Sequence, residues 1–153
     1  GPVDAGDGIG QVVGEGLEGA DGLAELVAVL GVLVGDVQGV AGAPDGGGRN
    51  LAPRPMEMVL IGTGGCTAYD VVLILKRGRH NVHSCKVQLH AERASTDPKV
   101  FTSILMRFTV RGSNLDPAVV ERAVALSHEK YCSATAMLAK TAAIRIETVV
   151  EPV

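Results

Sequence analysis

Tryptophan is absent from the 153 residues and aromatic side chains make up only 3% of them. That leaves almost no stacking platform of the kind on which single-stranded nucleic acid is bound. A formal net charge of -3 also removes the general attraction to phosphate on which nucleic-acid affinity rests. Positive charge is missing altogether from residues 1–48, which hold eight of the seventeen acids and no Lys or Arg. Long hydrophobic runs are missing there too. The longest, Leu23 to Val34, falls short of the roughly 20 residues that a bilayer crossing takes, and no basic segment precedes it as in a secretory signal. Cysteine is scarce: Cys66, Cys85 and Cys132 are an odd number at wide spacing, which is not how a small secreted disulfide scaffold is built. Reduced thiols and a cytoplasmic setting are therefore expected, with neither nucleic acid nor membrane as partner.

What is present falls into two unlike parts. Residues 1–48 are a low-complexity, acidic leader made almost only of Gly, Ala, Val, Asp, Glu and Leu. These are largely residues whose codons begin with G, as an out-of-frame reading of a GC-rich gene would give. Within it Leu23, Leu26, Leu30 and Leu33 fall at helical spacing, predicting one weak helix over 17–34. Residues 49–153 carry all fourteen bases and nine acids and read as an ordinary folded domain.

The domain opens at Pro53-Arg54-Pro55, a stiff start with Pro55 in the first turn of a helix that runs to about Arg77. Apolar residues lie nearly all round that helix, which places it in the middle of the fold. Ser84 to Arg93 alternates, with Cys85, Val87, Leu89 and Ala91 on one face, and predicts a half-buried strand with Cys85 pointing inward. Val100 to Arg111 alternates likewise, with Val100, Ile104, Met106, Phe108 and Val110 inward, and Ser95–Lys99 closes an antiparallel hairpin. Asp116-Pro117 is a helix cap and first turn, followed by a stripe of Val120, Ala123, Val124, Ser127 and Tyr131. Ser133 caps a further helix over 134–141, and residues 143–150 alternate as a last strand. The class is α+β, helices on an antiparallel sheet.

Glycine inside a helix costs about 1 kcal/mol relative to alanine, so GTGGCTAYDVVLIL needs a use for its glycines. Close approach of another helix and clearance beside Cys66 are the uses that fit. Cys132 precedes Ser133 at a helix start, where free N–H groups and the helix dipole favour a thiolate. If the fold brings the two together they form a peroxidatic and resolving couple, whereas a lone buried cysteine is inert. His80, His83 and Cys85 loosely imitate a metal cluster, but a structural zinc takes four ligands and no metal is expected.

RPMEMVLIGTGGCTAYDVVLILKRGR, with AVVERAVALSHEKYCSATAMLAK downstream, resembles the OsmC/Ohr family of thiol-dependent hydroperoxide reductases, and within it the YhfA-like branch, over residues 46–153. The resemblance implies an OsmC-like α+β fold in which two long central helices pack against antiparallel sheets in an intertwined homodimer, with the active site at the subunit interface. It makes Cys66 the peroxidatic and Cys132 the resolving cysteine, organic hydroperoxides the substrates and a dithiol the reductant, with no cofactor. The family's glutamate directly follows the proline at the helix start. Met56 stands there instead, and Glu57, the nearest carboxylate, is turned by about 100° round the helix. The family's arginine comes from an N-terminal hairpin, and no arginine precedes Arg49 in this chain, leaving Arg49 and Arg54 as the nearest substitutes. Two functions follow: a cysteine peroxidase using Cys66, Cys132 and Glu57, or an OsmC-fold dimer with little peroxidase activity that binds an apolar or electrophilic small molecule.

Overall fold

A computed structural model describes residues 10–15, 44–49 and 53–153. The helix expected over 17–34 lies outside the described residues. The chain divides into two compact units, one of residues 1–16 and 60–153 and one of residues 17–59. In the second, the described residues are the short 3-10 turn Pro44–Gly46 and its neighbours, and the start of the first helix.

Helix α1, Pro55–Arg77, has the expected bounds. At its first turn the Glu57 Oε2 accepts from the Arg54 backbone N–H at 2.8 Å, satisfying a donor the helix cannot use itself. Its last turn ends in a Schellman motif, with the His80 N–H donating to the Leu75 carbonyl and the Arg79 N–H to Lys76. That motif needs a left-handed residue, and Arg79 takes it at φ 64° rather than the preceding Gly78. Leu60, Thr63, Gly64, Thr67, Ala68, Val71 and Leu75 are buried, a single stripe at three- and four-residue steps. By length and composition α1 is also apolar enough to cross a membrane, but its buried stripe is that of a helix packed on a sheet.

Four strands form one sheet in the order β1-β2-β3-β4, with β1 at Gly10–Glu15, β2 at Asn81–Arg93, β3 at Phe101–Ser113 and β4 at Ala143–Pro152. The β2–β3 hairpin is antiparallel as expected, and Cys85, Val87, Leu89, Ala91, Ile104, Met106, Phe108 and Val110 form its core face. A register irregularity between Glu92 and Arg93 breaks the alternation, so Phe101 at 3% exposure, not Val100, takes the inward place near the turn. Strand β1 lies in the stretch read as a leader and pairs antiparallel with β2, Gly10 opposite Ala91 and Glu15 opposite Lys86. Its Gln-Val-Val centre is the part of that stretch with strand propensity and no helical spacing.

Two expectations need correction. The sheet is mixed, because β4 runs parallel to β3, with Ser103 opposite Ala143 and Gly112 opposite Pro152. Alternation gives a strand its faces and not its direction. Here residues 114–142 form the crossover that parallel pairing requires. The parallel register is matched on the outer face by Arg107 with Glu147 at 2.8 Å and Arg111 with Glu151 at 3.6 Å. The start of the last helix differs as well, and among the described residues α1 is the one long helix. The second helical stretch is split into α2 (Pro117–Leu126), one π turn (Ser127–Tyr131) and α3 (Ser133–Leu138). Asp116 caps α2 as expected, its Oδ1 accepting from the Ala118 N–H. The break comes where the Cys132 N–H donates to the Ser127 carbonyl five residues back. Cys132, rather than Ser133, then stands at the cap position of α3.

Candidate functional site

The break in the second helical stretch positions the chemistry. It holds Cys132 between two backbone bonds, its own N–H to Ser127 O and its carbonyl accepting from the Ala136 N–H, while the Thr135 hydroxyl donates to the same carbonyl at 3.1 Å. On α1, Cys66 and Asp70 are four residues apart and so share a face. The Sγ atoms of Cys66 and Cys132 and a carboxylate oxygen of Asp70 all lie within 4.8 Å of one another. Cys132 is 2% exposed, whereas Cys66 and Asp70 are half-buried. The two cysteines singled out in the sequence, 66 positions apart, are therefore neighbours.

Asp70 and Ser127 complete the group. The Ser127 hydroxyl, fully buried at the start of the π turn, donates to Asp70 Oδ2 at 3.2 Å. It has one proton to give, so the 3.1 Å contact with Thr67 Oγ1 must have the threonine as donor. The result is a directed chain, Thr67 to Ser127 to Asp70, with the carboxylate at the end beside the thiols. Neither Asp70 nor Ser127 is given a site role by the sequence alone. The signal that could have found Asp70 is its four-residue spacing from Cys66 on a long helix.

The helix-start argument for Cys132 fails. Burial pushes its thiol above the ordinary 9.0, and the neighbouring Cys66 adds to this; hydrogen bonding by the Thr135 backbone and hydroxyl pulls the other way without winning. A cap position on a short helix gives less to a thiolate than loss of water takes away. The third thiol, Cys85, faces the core at 2% exposure and burial pushes it up to about 12, as befits an unreactive structural cysteine.

Glu57 caps α1, as described, and is half-buried. Arg49 is exposed. His80, His83 and Cys85 do not gather: among the described residues the one group of His, Cys, Asp or Glu atoms within metal-binding reach of each other is Cys66, Asp70 and Cys132. Two sulfurs and one carboxylate are one donor short of a structural zinc site. Two surface clefts, of about 320 Å³ between α2 and β4 and about 470 Å³ across β2, β3 and β4, include neither Cys66 nor Cys132.

The glycines have a sharper account than the sequence offered. A Cβ on Gly64 would meet Leu89 Cδ1 at 2.8 Å, so this glycine lets α1 down onto strand β2 and not onto a helix. A Cβ on Gly62 or Gly65 would meet nothing within 4 Å among the described residues.

Comparison with known proteins follows the same residues. The family described as OsmC-like protein matches residues 46–148. Protein YhfA of Escherichia coli strain K12 is 52% identical over 96 residues, 63% of this chain and 72% of that protein. A hypothetical protein from Aquifex aeolicus VF5 has a similar structure at 33% identity and a TM-score of 0.63, covering 65% of this chain and 75% of that one. At 15% identity, an organic hydroperoxide resistance protein OsmC from Legionella pneumophila shares the fold with a TM-score of 0.55, covering 70% of this chain and 77% of that one.

Proposed function

The chain belongs to the OsmC-like protein family, and on that premise we propose that it reduces organic hydroperoxides with Cys66 as the attacking and Cys132 as the resolving thiol. The observation that carries this reading is that the two Sγ atoms lie within 4.8 Å of each other, from distant parts of the chain. Cys66, the more exposed of the two, meets the peroxide first. Its thiolate attacks one oxygen, the O–O bond breaks, and sulfur is oxidised to the sulfenic acid while the alkoxide takes a proton and leaves as alcohol. The Cys132 sulfur then displaces hydroxide from the sulfenic acid, giving the disulfide and water, and an external dithiol returns both thiols at the cost of its own oxidation. Disulfide formation then closes a gap of at most 4.8 Å to the roughly 2 Å of an S–S bond.

Glu57 enters as the carboxylate closest to the family's glutamate position, and its hydrogen bond to Arg54 gives it a structural task besides. A cytoplasmic setting, where dithiol reductants are at hand, and a homodimer are parts of the same proposal. The test is thiol-dependent consumption of cumene hydroperoxide by the reduced protein. Cys66→Ser is expected to abolish it, and activity unchanged in that variant would sink the reading. Met56 in the family's glutamate place favours the second function, a dimer that binds an apolar or electrophilic small molecule. That reading predicts no Cys66–Cys132 disulfide after one equivalent of peroxide, so detecting the bond by mass spectrometry decides between the two.

A further inference from the structure

The two-cysteine cycle leaves one proton without a carrier. Cys132 must lose its thiol proton as it attacks, and the hydroxide leaving Cys66 must gain one. Cys132 is 2% exposed, so bulk water reaches it poorly. Burial also keeps its thiol protonated rather than poised as a thiolate. Resting on the reading above, the geometry points to Asp70 as the proton-transfer residue of the resolving step: its carboxylate takes the proton from Cys132 Sγ and hands it to the hydroxyl departing from Cys66.

Three features of the site support this. An Asp70 oxygen lies within 4.8 Å of both sulfurs, the donor and the acceptor of the transfer. The Thr67–Ser127 chain ends on Asp70 Oδ2, fixing the carboxylate's orientation, and Oδ1 has no hydrogen-bond partner among the described residues. Asp70 is half-buried, so the proton passes in a site from which water is partly excluded. The step balances: the Cys132 S–H and the Cys66 S–OH are consumed, one S–S bond and one water are formed, and Asp70 ends as it began. Sulfur redox is confined to the two cysteines. The carboxylate that the family places after its helix-start proline is missing at Met56, and Asp70 stands one helical turn beyond Cys66 instead.

The experiment follows the two half-steps separately on the full chain. Reduced protein is mixed with one equivalent of cumene hydroperoxide; Cys66 sulfenic acid is trapped with dimedone and the disulfide is counted by mass spectrometry after alkylation. In Asp70→Asn the sulfenic acid is expected to form and to accumulate, with disulfide formation slowed at least about tenfold. Asp70→Glu should recover most of the rate, and in Asp70→Ala millimolar formate should accelerate the disulfide step. Wild-type disulfide kinetics in Asp70→Asn would overturn the proposal. So would equal slowing in Asn and Glu variants, which marks a packing role, or no response of Asp70→Ala to formate, a comparison made within one variant and independent of its stability. If wild-type protein forms neither sulfenic acid nor disulfide, the two-cysteine reading itself fails and Asp70 loses its task with it.

Discussion

Cys85 lies on the core face of β2 with its thiol raised from the ordinary 9.0 to about 12 by burial alone. The consequence is a stability that depends on alkaline pH. Once unfolded, the thiol ionises from about pH 9; folded, it holds its proton to about pH 12. Between those values the unfolded state binds fewer protons than the native state, so stability falls as pH rises, by about 1.4 kcal/mol per unit. Urea unfolding under reducing conditions should show wild type losing about 2 kcal/mol more than Cys85→Ala between pH 8 and pH 10.5. Parallel losses in the two proteins would mean that Cys85 does not retain its proton. The inward face of Cys85 was legible because strand alternation fixes parity. The state of Cys132 was not, since local sequence shows the helix start but not the loss of water imposed by α1, more than fifty positions upstream.

Elements read well wherever a signal is local. Pro55, Asp116 and the alternation of β2 and β3 gave bounds within a few residues of those observed. What escaped depends on partners far along the chain. The direction of β4 is set by the crossover, and the split at Ser127 is a five-residue hydrogen bond with no residue signature of its own. Glycine 64 belongs to the same class, because its use is visible only against Leu89, a fully buried side chain with no room to swing aside. Gly64→Ala gains about 1 kcal/mol of helix propensity and incurs about 1–3 kcal/mol of overpacking. The expected net is a lower urea midpoint, restored by pairing it with Leu89→Val, which removes the clashing methyl's reach. A Gly64→Ala protein more stable than wild type would show that α1 and β2 are not in tight contact.

At the scale of the whole molecule, α1 is the element left with an uncovered face among the described residues. A helix apolar nearly all round is normally covered on every side, yet among the described residues only one stripe of α1 is buried. Gly62, Gly65 and Tyr69, spaced at three and four residues, form an exposed line on it, with Tyr69 69% exposed and nothing among the described residues within 4 Å of a Cβ on either glycine. The homodimer proposed above would use this line, since two long helices cross closely where side chains are missing. Gly62 and Gly65 would then hold a place on the outer face of α1 comparable to that of Gly64 against the sheet, and their helix-propensity cost would be offset by association. Gly65→Leu separates the alternatives because a Cβ at Gly65 meets nothing within 4 Å among the described residues. If the line is the interface, sedimentation velocity at micromolar concentration should show wild type as a dimer and Gly65→Leu shifted toward monomer, with its circular dichroism retained. A variant that sediments as the wild-type dimer would move the interface off α1, and a monomeric wild type would remove the dimer from the proposal.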